Sequence, residues 1–166
     1  MLCGFICSGK TTFAQKLERE LEAVTFCPDM WMALLFGTKH SDQEGICYAP
    51  KVDALITRTY EQLLKLRIDI ILDSGFWTKA DRDRMKRHVS ELGAKSRLYF
   101  LACPKDVLLQ RLQKRNAECK PDTMMISEAK FKIAWEHFHA PGEDEEFELI
   151  ETSTQQEQYS RSLRSG

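Results

Sequence analysis

The sequence has no strong excess of charge of either sign and no long apolar run. Its 166 residues carry 24 Lys and Arg against 25 Asp and Glu, for a formal net charge of −1. A charge so close to balance argues against a protein built mainly to coat nucleic acid. No apolar run reaches the roughly 18 residues needed to span a bilayer. No positively charged start precedes an apolar stretch at the N-terminus, so no signal peptide is predicted. We therefore expect a soluble protein with no membrane partner.

Zinc-binding and disulfide patterns are also missing from the six cysteines. None of them forms a C-x-x-C pair, and no group of Cys and His has the spacing of a zinc site. Several cysteines lie inside apolar runs, where a reduced thiol behaves as a small hydrophobic group. The sequence therefore predicts a reduced, cytoplasmic protein.

Short apolar runs suited to strands alternate with segments of helical period. The run 68–73 is apolar apart from Asp69 and Asp73, and its apolar centre is typical of a strand buried on both faces of a parallel sheet. Strand, helix and strand joined by short links predict an α/β fold, in which helices cover both faces of a parallel sheet. The predicted strands are 2–5, 24–27, 68–73, 97–102 and 147–151, the predicted helices are 10–22, 52–66, 78–92, 105–115 and 127–139, 29–36 is a short helix or turn, and 37–48 is a loop.

The sharpest motif is Gly-Phe-Ile-Cys-Ser-Gly-Lys-Thr at residues 4–11, which matches G-x-x-x-x-G-K-[ST]. Its two glycines let the loop wrap a phosphate with backbone N–H groups pointing inward, and the positive end of the following helix faces the same anion. Lys10 would supply a charge to the β- and γ-phosphates, and the Thr11 hydroxyl would be a ligand of Mg²⁺. The alternative is a glycine turn before a helix. The strand before the loop is short, which leaves open whether the chain begins late. The motif predicts an ATP and Mg²⁺ site, with Gly4, Cys7, Ser8, Gly9, Lys10, Thr11 and Thr12 as its candidate nucleotide-binding residues.

Two aspartates follow predicted strands at the edge where parallel sheets bind ligands. Asp73 closes the third strand and is the second candidate ligand of Mg²⁺; the alternative is a helix cap or a carboxylate bound by neighbouring backbone N–H groups. Asp29 follows the second strand across Pro28. It is the candidate catalytic base that accepts the proton of an acceptor hydroxyl; the alternative is an N-cap of the helix that follows.

Two arginines share one face of the predicted helix 105–115. Arg111 and Arg115 are four residues apart, so an anion between them would offset their mutual repulsion. They precede a polar segment at about 116–126 that we predict to be a lid, and closing it would bring cations to the transferring phosphoryl group. The alternative is a solvated helix face. Arg82 could also reach a substrate, and the acidic run 143–146 is predicted to be a solvated loop.

The order of these motifs resembles a known group. The phosphate loop, then Cys-Pro-Asp-Met-Trp at 27–31, Leu-Asp-Ser-Gly-Phe-Trp at 72–77 and Arg-Leu-Gln-Lys-Arg-Asn at 111–116 resemble the small P-loop kinases among the AAA-type ATP-binding proteins. These are similar to polynucleotide kinase, chloramphenicol phosphotransferase and zeta toxin kinases. The resemblance implies a P-loop NTPase three-layer sandwich with a five-stranded parallel sheet in the order 2-3-1-4-5. It also implies Asp29 as the base, Asp73 near the metal or substrate, and Arg111 and Arg115 as lid arginines.

Two departures from related patterns bear on the acceptor. Polynucleotide kinases carry an arginine three residues after the base, where this chain has Met32, and nucleoside monophosphate kinases often have Pro-Arg at the position of Phe76 and Trp77. Taken together, the motifs predict that residues 1–152 form an ATP-dependent kinase domain with Mg²⁺ as cofactor, and that residues 153–166 form a disordered tail. The expected acceptor is a hydroxyl group of a small molecule. The alternatives are a 5′-hydroxyl polynucleotide kinase, with nucleic acid as a less favoured partner, and an ATP-binding switch that does not act as a kinase.

Overall fold

The computed structural model describes residues 1–38, 41–118 and 125–153. Each strand is shorter than its apolar run, because the ends of the runs lie in the connections. The strands are β1 Leu2–Cys3, β2 Val24–Phe26, β3 Ile70–Leu72, β4 Tyr99–Ala102 and β5 Glu148–Glu151. The helices are α1 Lys10–Leu21, α2 Pro28–Phe36, α3 Asp42–Lys65, α4 Lys79–Glu91, α5 Lys105–Glu118 and α6 Glu128–Glu136.

All paired strands run parallel, in two blocks. One block has the order β1-β4-β5 and the other pairs β2 with β3. The neighbours within each block agree with the predicted order, but the expected contact between β3 and β1 is a single bridge from Cys3 to Gly75. The reason is register: Gly75 lies three residues beyond the end of β3, so β1 runs alongside the connection that follows β3 rather than the strand itself.

Helices pack on both faces because side chains alternate along each strand. On β1 and β3, Leu2 and Ile71 belong to the apolar cluster formed with α1, which includes Ala14 and Leu17. The next residue of each strand, Cys3 or Leu72, belongs to a cluster on the opposite face, formed with side chains of α2 and α3. A third cluster, around Phe5, Leu108, Leu112 and Phe131, packs α5 and α6 beside the loop that follows β1. The result is an α/β sandwich with its phosphate loop between packed layers.

The segment predicted to be a loop at 37–48 is largely helical, which corrects that prediction. Helix α3 begins at Asp42, ten residues before the predicted start, and Pro50 lies inside it. The cause is a capping box: the Ser41 hydroxyl accepts from the Glu44 backbone N–H while the Glu44 side chain accepts from the Ser41 N–H. This reciprocal pair satisfies two otherwise unpaired donors and starts a helix in polar sequence.

The first residues of the predicted lid, 116–118, are helical. Helix α5 continues through residues 116–118 to end at Glu118, and 119–124 lie outside the described residues, as do residues 154–166 of the predicted tail. The Asn116 side chain donates to the Ile126 carbonyl at 2.8 Å and accepts from the Ile126 N–H at 3.5 Å. Asn116 therefore ties the end of α5 to the start of the segment that leads into α6. Within the described ranges, no helix combines the length and the apolar character needed to cross a membrane.

Candidate nucleotide site

The phosphate loop joins β1 to α1, and its two glycines are required by the backbone. Gly9 is the N-cap of α1 in the left-handed region, with φ of 93°, where a side chain is strained. A Cβ on Gly4 would lie 2.5 Å from Ser8 Oγ and 3.1 Å from the Leu101 carbonyl oxygen. Ser8 is buried, and its Oγ has no hydrogen-bond partner within the described part of the chain. Thr12 is exposed on the first turn of α1.

Lys10 bends back over the loop that it follows. Its Nζ donates to the Phe5 carbonyl at 3.0 Å. Burial lowers the pKa of Lys10, and the nearby carboxylates Asp73 and Asp29 oppose that shift. A cation withdrawn from water in this way is poised to pair with an anion held by the same loop.

Asp73 faces Thr11 across the edge of the sheet. The Thr11 hydroxyl donates to Asp73 Oδ2 at 3.0 Å, whereas Oδ1 is buried without a hydrogen-bond partner among the described residues. Burial raises the pKa of Asp73, and Lys10 and Thr11 only partly offset the rise. No group of three or more His, Cys, Asp and Glu capable of holding a metal occurs in the described ranges. A hydroxyl and one carboxylate beside a phosphate loop fit Mg²⁺, which takes few protein ligands and keeps phosphate oxygens and water.

Asp73→Asn is expected to raise the free energy of unfolding of the nucleotide-free protein at pH 7. Because burial raises the pKa of this carboxyl above its ordinary value of 3.8, the ionised form costs stability above the folded-state pKa and the neutral form does not. The advantage of the variant should shrink as the pH falls through the raised pKa towards 3.8. Urea unfolding in EDTA at several pH values measures the difference in the free energy of unfolding between the variant and wild type, with Asp69→Asn, at an exposed position, as control. A variant less stable than wild type at pH 7 would show that the contacts of Asp73 outweigh its desolvation.

Asp29 lies in the first turn of α2 and is exposed. It is not the N-cap, which is Cys27, with Pro28 at the first helical position. The alternative that Asp29 is only a cap therefore does not hold. Asp29 is close enough to Lys10 and Asp73 to contribute electrostatically to the pKa of each. The structure thus brings together four of the predicted site residues, Lys10, Thr11, Asp29 and Asp73.

Both predicted lid arginines are half-buried and directed at Cys7 of the phosphate loop. Arg111 Nη1 donates to the Cys7 carbonyl at 3.4 Å and to Thr152 Oγ1 at 3.5 Å, and Nη2 donates to the Thr152 carbonyl. Arg115 Nη1 lies 3.9 Å from Cys7 Sγ. Cys7 itself has a positive φ of 63°. Half-buried side chains at the loop do not match the alternative of a solvated helix face.

Arg82 is not a substrate contact, which corrects that expectation. Its Nε and Nη2 donate to the two oxygens of Glu145 at 2.7 and 2.6 Å, and both side chains are at most 2% exposed. Nη1 donates to the carbonyls of Phe76 and His139 at 3.0 and 2.9 Å. The run 143–146 is therefore not wholly solvated. The carbonyl of Gly75, the residue before Phe76, accepts from the Gly4 N–H of the phosphate loop at 3.1 Å. By binding the Phe76 carbonyl, the Arg82–Glu145 pair therefore supports the segment that connects Asp73 to the contact with the phosphate loop.

Three residues near the site were missed by sequence reasoning. Cys27 is buried close to Asp73, and burial raises the pKa of the Cys27 thiol to about 11. Thr152 anchors Arg111 and bonds Ala102 at the end of β4. Asp53 lies on α3 near Asp29. Burial is the main cause of the raised pKa of Asp53, and the negative charge of Asp29 is the second. Of these three residues, only Asp53 lay in a sequence pattern that placed it: it follows Val52, a buried residue at the start of an apolar helical period.

The glycine-rich loop between β1 and α1, the Lys10 ammonium and the Thr11–Asp73 pair define a P-loop nucleotide-binding protein. A family profile described as an AAA domain matches residues 1–141, so the chain belongs to the AAA domain family. The resemblance to the small AAA-type P-loop kinases is confirmed. A sequence search of curated proteins found no match.

Solved structures agree on the fold. A candidate kinase from Chloroflexus aurantiacus has a TM-score of 0.69 and 19% identity, over 99% of this chain and 96% of that one. Kti12 of Chaetomium thermophilum in complex with ADP-AlF3 has a TM-score of 0.65 and 14% identity, over 99% and 96% of the two chains. A gluconokinase from Sinorhizobium meliloti has a TM-score of 0.59 and 15% identity, over 96% and 85%. At these identities the likeness establishes the P-loop kinase fold alone.

Proposed function

We propose that the protein is an ATP-dependent phosphotransferase that moves the γ-phosphate to a hydroxyl group of a small molecule. The observation that carries the proposal is the position of Asp29. A phosphate-binding loop with Lys10 and Thr11 would suit any P-loop nucleotidase, but a carboxylate at the start of α2, interacting with Lys10 and Asp73, supplies a base for a second substrate. The gluconokinase with the same fold is consistent with a hydroxyl acceptor.

Each residue has a role that follows from its place. The loop N–H groups and Lys10 hold the phosphates and reduce the repulsion that an incoming oxygen would meet. Asp29 accepts the proton of the acceptor hydroxyl as its oxygen attacks the γ-phosphorus, and ADP leaves with the broken bond's electron pair. Arg115 and Arg111 stabilise the negative charge of the transferring group from the side of α5. Thr11 and Asp73 would hold Mg²⁺, which neutralises phosphate charge when bound. We also propose that the five strands form one sheet in the order 2-3-1-4-5.

Two other functions keep some support. The similarity of the fold to Kti12 bound to ADP-AlF3 favours a nucleotide-dependent switch, but a switch has no need of Asp29. A 5′-hydroxyl polynucleotide kinase is less favoured because Met32, at the position of that family's arginine, is buried in the core at 8% exposure. An acceptor screen with labelled ATP, over sugars, nucleosides, antibiotics and 5′-hydroxyl oligonucleotides, separates the three.

Asp29→Asn is expected to slow single-turnover transfer by about 10²–10³-fold, the lower half of the usual range for general-base catalysis. A loose transition state needs little proton transfer, which places the effect low in that range. ATP affinity should hold or rise slightly as a negative charge leaves the site. Transfer to the acceptor found in the screen is measured together with ATP binding and thermal stability.

The matched control for Asp29→Asn is Asp106→Asn, which also removes an acidic residue from a helix's first turn. Both variants should lose the same small helix-dipole contribution, about 0.3–1 kcal/mol. Loss of transfer only in Asp29→Asn, with binding and stability intact, supports the base. Retained transfer would refute the catalytic role, and a parallel loss of stability would make Asp29 structural.

A further inference from the structure

We infer that the hydroxyl acceptor carries no negative charge, so that it is a neutral or cationic alcohol rather than a phosphate ester or a carboxylate. This inference rests on the proposed function and names the substrate class of the same site. It is carried by the distribution of charge around Asp29 and Asp73. An acceptor must approach the γ-phosphate beside these carboxylates, and Lys10 is the described basic side chain whose charge interacts with both of them.

Two of the segments next to Asp29 and Asp73 contain no basic residue at all. Helix α2, Pro28–Phe36, reads PDMWMALLF, and the connection from Asp73 to Thr78 reads DSGFWT. Lys10 is committed to the phosphates of ATP under the proposed mechanism. A phosphate or carboxylate on the acceptor would therefore find no cation on α2 or on the β3–α4 connection.

Helix α3 packs on α2, and its basic side chains lie on the face directed away from α2. Lys51, Arg58 and Lys65 are spaced seven residues apart and are all exposed, so they form one stripe on the solvent face. Asp53 is also exposed, but it is about 200° around the helix from Lys51 and lies next to the buried Val52, on the side where Asp29 acts on it. The side of α3 nearest the site thus contributes a carboxylate and none of the three cations.

Three arginines lie near the site. Arg111 and Arg115 contact Cys7 from α5 and act on the transferring group under the proposed mechanism, and Arg82 is already paired. Arg82 is bonded to Glu145 through two nitrogens and to two backbone carbonyls through its third. Releasing it to bind an acceptor would leave the buried Glu145 without its partner, which is costly. A second anion on this side of the site would be repelled by Asp29 and Asp53, while Asp73 would be paired with Mg²⁺.

The test uses matched acceptor pairs that differ in charge, such as a nucleoside and its 5′-monophosphate, glucose and gluconate, and glucose and glucosamine. Transfer from labelled ATP is measured as kcat/KM for each member. Wild type should favour the neutral or cationic member by at least about tenfold. Asp53→Lys should reduce this ratio, and Asp53→Asn should reduce it less. Lys51→Asp, on the opposite face, should leave the ratio unchanged.

Each outcome decides the matter. Preference of wild type for the anionic members would overturn the inference and leave the kinase proposal intact. A ratio that does not respond to Asp53→Lys, in a variant with unchanged thermal stability and ATP binding, would remove its electrostatic basis and contradict it. Absence of transfer to every member, with normal ATP binding, would overturn the proposed function and the inference with it.

Discussion

Lys10→Ala is expected to abolish measurable phosphoryl transfer and to weaken ATP binding by about 10–100-fold. Lys10 is the cation of the phosphate loop, and its Nζ lies 3.0 Å from the Phe5 carbonyl, within the loop's own span. A hydrogen bond to a charged group contributes roughly 1.5–3 kcal/mol, which sets the scale of the loss in binding. The loss in rate is larger because Lys10 also meets charge that develops during transfer.

The variant should fold, since burial already lowers the pKa of Lys10 and makes the ammonium costly to hold in the nucleotide-free protein. The measurements are equilibrium binding of ATP, transfer to the acceptor found in the screen, and thermal unfolding. Lys16→Ala serves as control, because Lys16 lies on the same helix but is exposed and pairs with Glu20 at 3.7 Å. Unchanged transfer in Lys10→Ala would sink the nucleotide-site assignment and every proposal built on it.

The nucleotide half of the site was predictable because its chemistry is local. The loop from Gly4 to Thr11 is contiguous, and each residue's role follows from its distance along the chain to the first turn of α1. Asp73 was also predictable, because a carboxylate that ends a buried parallel strand lies at the edge that faces the loop. The Thr11–Asp73 hydrogen bond is where these two local patterns meet.

The surroundings of this site were not predictable in the same way, because they depend on contacts between distant segments. The exposed first turns of α3 looked like a loop, since their polar residues carry no apolar period and only the Ser41–Glu44 capping box marks the start. Arg82 and Glu145 are 63 residues apart, and each is ordinary on a polar surface by itself. Only the packing of α4 against the loop after α6 makes them a buried pair, and no pattern along the chain encodes that meeting.

The same dependence on tertiary contacts separates Arg111 and Arg115, the two predicted lid arginines, which share a helix face and look equivalent in the sequence. Arg111 is built into the fold: it donates to both oxygens of Thr152 and to the Cys7 carbonyl, and so holds α5 to the end of β5 and to the phosphate loop. Removing it would mix lost packing with lost catalysis. Arg115 reaches the phosphate loop at the Cys7 thiol, 3.9 Å away, and so lies where it could meet an anion held by that loop.

Arg115→Ala is therefore expected to lower kcat by about 10³-fold while ATP affinity stays within about threefold. An arginine supplied to phosphoryl transfer acts mainly on charge that develops in the transition state, and effects of 10³-fold or more are known for such arginines. Steady-state kinetics with the identified acceptor, together with ATP binding to the free protein, separates the two effects. Thermal unfolding is the control for folding, and Arg111→Ala should be less stable than wild type because it loses its bonds to Thr152 and Cys7.

Arg115→Lys is the matched variant, because it keeps the positive charge and loses the planar fork of donors. If Arg115 acts by bidentate contact with the transferring group, Arg115→Lys should recover only part of the rate; if it acts through charge alone, recovery should be nearly complete. Either recovery supports a role at the phosphoryl group. If kcat and KM of Arg115→Ala both stay within about threefold of wild type, the arginine is a half-buried surface residue of α5, and the catalytic assignment passes to Arg111.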